Sequence, residues 1–93
     1  MADLKSEKEQ LRTLENLCRQ KKFSDALEIA QKASADYPNS YQIQLMFART
    51  LRELNKLAEA EEVLTEMMKT YPDNINLLSE SGRVAVLMEK LDE

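Results

Sequence analysis

The chain of 93 residues has no histidine, a single cysteine, a single glycine and two prolines. Without histidine it lacks the commonest general base and the usual zinc-site spacings. Cys18, being alone, can form no internal disulfide, and with no imidazole to activate it the thiol is a poor nucleophile. It reads as a small, semi-apolar filler. One glycine leaves no phosphate-binding loop, so the remaining catalytic candidates are carboxylates on helices, which are solvated faces far more often than acids or bases. No catalytic residue, metal or cofactor is expected, and the chain is read as no enzyme. Scarce glycine and proline also argue against long loops and disorder. No apolar run approaches the roughly 18 residues of a membrane span. The segment Met1-Ala2-Asp3-Leu4-Lys5-Ser6-Glu7-Lys8 lacks the apolar stretch of a secretory signal, so a cytoplasmic location is expected. The net charge of -4 disfavours nucleic acid, whose binding relies on phosphate neutralisation by lysine and arginine.

What the chain does have is a break that occurs twice. Ala35-Asp36-Tyr37-Pro38-Asn39-Ser40 and Lys69-Thr70-Tyr71-Pro72-Asp73-Asn74 start 34 residues apart. Each joins an aromatic residue able to close a helix, a proline that cannot continue it, and a small polar residue placed to cap the next. The flanking sequence keeps the same register. Ser6, Ser40 and Asn74 are equivalent cap candidates, with Ser6-x-x-Glu9 forming a capping-box pattern. The stripe read as buried, Ala26, Ala30, Ala33 and Tyr37, recurs as Ala60, Leu64, Met67 and Tyr71, and Lys22 recurs as Lys56. Hydrophobic spacing predicts helices from about Ser6 to Gln20, Phe23 to Tyr37 with Ser24 as cap, Tyr41 to Leu54, Ala58 to Thr70, and from Ile75 onward. Asn55 is placed to take the left-handed conformation after the third.

These residues resemble the tetratricopeptide repeat family, in which antiparallel helix pairs, A and B, recur every 34 residues. The small residue near the start of helix B matches Ala26 and Ala60, and the later small residue matches Ala33. The closing proline matches Pro38 and Pro72, the aromatic before helix B matches Phe23, and the small residue where A and B approach matches Ala48 and Gly82. Leu14 and Met67 depart from the pattern. The resemblance implies an all-α, right-handed superhelical stack of five helices forming one domain, 1–93, with repeats at 7–40 and 41–74 and a partial repeat at 75–93.

It further implies a concave groove lined by A helices that holds a protein or peptide partner. The family's superhelix would place there Lys8, Leu11, Arg12, Glu15, Cys18 and Arg19, then Gln42, Leu45, Met46, Arg49, Arg52 and Glu53, then Asn76, Ser79, Glu80, Arg83, Val86 and Leu87. All five arginines fall in this set. With Lys8 and three glutamates they give the groove a net +3 and leave -7 to the rest of the chain. An acidic or amphipathic ligand is expected, bound by Lys8, Leu11, Arg12, Arg19, Leu45, Met46, Arg49, Arg52 and Arg83. On that view, replacing Arg49 and Arg52 by alanine weakens binding without unfolding the domain. The bland alternative pairs Glu15 with Arg19, Arg49 with Glu53 and Glu80 with Arg83 along their own helices. The clamp by which some members hold a chaperone's terminal carboxylates would here fall on Leu11, Glu15, Met46, Asn76 and Glu80; only Asn76 could hydrogen-bond in the required way and the two glutamates would repel the ligand, which disfavours that subclass.

The fifth helix carries Leu78, Val84, Ala85, Met88 and Leu91, read as an uncovered apolar side. The chain is accordingly expected to be a piece of a longer repeat protein whose terminal helix pairs two copies into a homodimer. Self-association is thus the alternative to ligand binding.

Overall fold

The structure, a computed structural model, describes residues 6–91 and the side chains of 6–90. Leu4 and the side chain of Leu91 lie outside that range. Five helices follow one another: α1 (Glu7–Arg19), α2 (Phe23–Asp36), α3 (Tyr41–Glu53), α4 (Leu57–Thr70) and α5 (Ile75–Leu91). There is no strand among the described residues.

The helix ends show why the sequence breaks where it does. The hydroxyls of Ser6 and Ser40 accept from the backbone N–H of Glu9 and Ile43 at 3.2 and 3.3 Å. Asn74 Oδ1 accepts from that of Leu77 at 3.1 Å. Each satisfies one of the donors a helix start leaves unpaired, worth about 1 kcal/mol. At the other end α1 and α3 close alike. Lys22 and Lys56 N–H donate to Leu17 and Leu51 carbonyls, both at 2.8 Å. The preceding residues, Lys21 and Asn55, turn left-handed with φ of 61° and 62°. Asparagine tolerates that conformation, whereas a lysine there costs roughly 1–2 kcal/mol.

This turn delivers the chain directly into the next helix. Hence α2 starts at Phe23 behind Lys22, which makes no side-chain cap, and Ser24 is exposed in the first turn of α2 rather than its cap. The same geometry starts α4 at Leu57, one residue earlier than its spacing suggests. Tyr37 and Tyr71 close α2 and α4 with φ of -130° and -125°, their N–H groups donating to the carbonyls of Ala33 and Met67.

Connections of three and four residues make neighbouring helices antiparallel. Beyond these neighbours, the backbones of α1 and α3 and of α3 and α5 approach one another, whereas those of α2 and α4 do not. The odd helices therefore form an inner layer and the even ones an outer layer, in an elongated stack of 49 × 28 × 19 Å. Buried Leu14, Ala26, Ala30, Ala33 and Ile43 make the first core cluster. A second gathers Leu45, Leu51, Ala60, Leu64, Leu77 and Val84 among others, and Phe47 packs against both. Fully buried alanines let facing helices approach closely.

Three residues sit differently from expectation. Val84 is 1% exposed and faces the core with Leu77, so it is no part of an uncovered face. Leu45 is buried in the second cluster rather than lining a groove. Tyr71, expected in the buried stripe, is 38% exposed where it caps the end of α4, its ring edge-on to that of Tyr41 with centroids 5.3 Å apart.

Candidate partner-binding groove

The inner layer carries all five arginines, and they divide by what holds them. On α1, Arg12 and Arg19 are exposed and make no ion pair with any described residue. Lys8 is exposed in the first turn, while Leu11 and Cys18 are half-buried beside them. Cys18 Sγ lies 3.6 Å from Thr50 Oγ1, which itself donates to the carbonyl of Met46 at 2.8 Å. The thiol is thus part of the α1–α3 contact, in keeping with a filler's role.

Between α3 and α5 the arginines converge on one carboxylate. Glu80 is only 2% exposed. Its Oε1 accepts from Arg49 Nε at 3.0 Å and Arg83 Nη1 at 3.3 Å, and its Oε2 from Arg52 Nε at 3.1 Å. Arg52 also reaches Glu53 through Nη1 at 3.1 Å. No buried side-chain polar atom among the described residues is left without a partner. A carboxylate buried on an α-helix is tolerable only when its lone pairs are filled in this way.

This arrangement alters the intrahelical pairing read from the sequence. Glu80 does pair with Arg83, but Arg49 turns from Glu53 to the neighbouring helix, and Glu15 does not pair with Arg19 among the described residues. Arg52 is tied at both ends and its side chain is 18% exposed. Arg49 and Arg83, at 42% and 64%, each direct a single nitrogen to Glu80 and present the rest of the guanidinium to solvent. Glu80 is removed from the groove surface altogether. Sequence spacing could not show this hub, since two of its three partners lie 28 and 31 residues away on another helix. The available signal was the register. Glu80 falls where Met46 stands one repeat earlier, a half-buried position where a charge requires partners.

Beside the hub an open groove of about 650 Å³ is lined by Arg52, Ser79, Gly82, Arg83, Val86 and Leu87. A Cβ built on Gly82 meets nothing within 4 Å. Outside the inner layer the charge reverses, with Asp25, Glu28, Glu59, Glu61, Glu62 and Glu66 all exposed on α2 and α4. No three metal-ligating side chains gather among the described residues. None of the described helices is long and apolar enough to cross a membrane.

A family model described as tetratricopeptide repeat matches residues 17–90. The chain belongs to the tetratricopeptide repeat family. No curated protein and no solved structure matches it significantly. Tetratricopeptide repeats are generally non-catalytic and mediate protein–protein interaction. In this tetratricopeptide repeat protein the helix caps, the left-handed turns and the tyrosine closures all recur at the family's 34-residue period.

Proposed function

We propose that this chain is a cytoplasmic protein-interaction scaffold whose inner layer binds an acidic or amphipathic segment of a protein partner, with neither nucleic acid nor membrane as its target. One observation carries this reading: exposed guanidinium groups of Arg12, Arg19, Arg49 and Arg83 share the inner layer with apolar Leu11, Met46 and Val86, while the outer layer is acidic. Guanidinium groups are suited to forked recognition of carboxylates, and the neighbouring apolar area adds affinity. The test is an NMR titration of the labelled protein with an acidic, leucine-containing helical peptide. Amide shifts should fall on α1, α3 and α5 and shrink between low and physiological salt, since exposed charges are screened beyond about 8–10 Å. Shifts concentrated on α2 and α4 would refute the groove.

A second reading, self-association through α5, is favoured by Leu78 at 52% exposure, by exposed Ala85 and by the open space at Gly82. Met88 is half-buried against the second core cluster and contributes only an edge. Light scattering at micromolar concentration should then show a dimer that Leu78→Glu converts to monomer. A strict monomer removes this reading.

A further inference from the structure

Resting on the groove reading above, we propose that the α3–α5 end of the inner layer is a two-part anchor for a peptide presenting a carboxylate and an apolar side chain one helical turn apart. The carboxylate lies against Arg49 and Arg83, and the apolar side chain enters the groove over Gly82 and Val86. The arginines of α1 are peripheral to it.

The charged part follows from how the guanidinium groups are held. Each carries five N–H donors, and Arg49 and Arg83 use one nitrogen apiece on Glu80. Their remaining donors are exposed and still point from fixed positions, because a buried carboxylate anchors both side chains. Glu80 is therefore a positioning residue, not a contact. It removes rotamer freedom before the ligand arrives, which lowers the entropy lost on binding. Arg52, bonded to both Glu80 and Glu53, serves as a wall. Three guanidinium groups face two carboxylates here, Glu80 and Glu53, leaving one positive charge that a single ligand carboxylate neutralises.

The apolar part lies next to it. The groove of about 650 Å³ is open to solvent and has room for a leucine-sized side chain. Val86 presents a half-exposed isopropyl group on one side and Leu87 a partly buried one. Arg83 and Val86 stand three residues apart on α5, so a ligand lying along this helix meets the charged group and this apolar one about one turn apart. Glycine at the centre leaves the floor open. On α1, Arg12 and Arg19 have free donors, but Glu80 has no counterpart there to fix them: Met46 and Arg12 occupy its register positions.

The probe is a fluorescein-labelled helical peptide with glutamate and leucine four residues apart, titrated by fluorescence anisotropy. Arg83→Gln and Gly82→Leu should each weaken binding about tenfold or more, the first by removing charge-assisted hydrogen bonds and the second by filling the groove. Lys32→Gln, which removes an exposed charge from the outer layer, should change the affinity less than about twofold, and Arg12→Gln with Arg19→Gln should weaken it less than Arg83→Gln does. A probe with glutamine for glutamate should be insensitive to Arg83→Gln. Circular dichroism confirms that each variant is folded. The anchor is overturned if Gly82→Leu leaves affinity unchanged, if the α1 pair costs as much as Arg83→Gln, or if the unaltered protein does not bind the probe. Loss at α1 alone defeats the anchor and leaves the groove standing, whereas amide shifts on the outer layer defeat the groove itself.

Discussion

Replacing Arg49 and Arg52 together by alanine is expected to destabilise the protein by about 3 kcal/mol, the low end of the roughly 3–5 kcal/mol seen when a buried charge loses its partners. The sequence alone reads these arginines as ligand-binding groups whose removal spares the fold. The structure ties them to a carboxylate that is 2% exposed, and only Arg83, at 3.3 Å, remains to it after the double replacement. Small domains have about 5–15 kcal/mol of stability in all, so the loss should be plain in a urea melt as a lower midpoint with little change in slope. Adding Glu80→Met should recover most of it, because methionine already occupies the equivalent position at Met46, and exchanging a buried ion cluster for apolar packing is often neutral or better. A double variant within about 0.5 kcal/mol of the parent would show that Glu80 tolerates isolation and that the hub is a surface feature. The same result bears on binding experiments. Arg83→Gln tests the ligand, whereas Arg49→Ala with Arg52→Ala mixes affinity with unfolding.

Leu77→Ala and Leu78→Ala should differ sharply although the residues are adjacent. Leu77 is fully buried in the second core cluster, so truncating it should cost about 2–5 kcal/mol in lost transfer energy and residual cavity. Leu78 is 52% exposed, and its truncation should fall within about 0.5 kcal/mol of the parent when measured in dilute solution. The contrast tests whether α5 is docked through Leu77 and Val84, as described, or rotated to present Leu78 and Ala85 to the stack. Equal costs, or a larger cost at Leu78, would require the rotated packing.

That second test concerns the point at which sequence reasoning was weakest. Caps, prolines and small residues recurring every 34 positions made the helix pairs legible, because each acts locally and leaves a local mark: a hydroxyl before α3, an amide before α5, an asparagine at a left-handed turn. Lys21 left no such mark. Lysine has no preference for positive φ, and only its register with Asn55 points to the turn it makes. In α5 apolar residues lie nearly all round the helix, so periodicity cannot choose between the Leu77–Val84 face and the Leu78–Ala85 face. The choice is made by what α3 and α4 offer across the interface. The Glu80 hub was hidden for a related reason: pairing rules for one helix are blind to a partner on the next. Register assigned the proposed groove residues to α1, α3 and α5, while the burial of Leu45 and Glu80 and the tethering of Arg52 depended on packing that a single sequence does not display.

The separation of α2 from α4, beside the contacts linking α1 to α3 and α3 to α5, has a mechanical consequence. The inner helices act as a spine and the outer ones as ribs whose backbones stay apart. Bending that spreads the ribs parts no close backbone approach between them, whereas sliding one pair past the next has to shear the packing of Phe47 and the three-arginine knot around Glu80. A bound segment spanning α1 to α5 would feel a surface that adjusts its radius while holding its register.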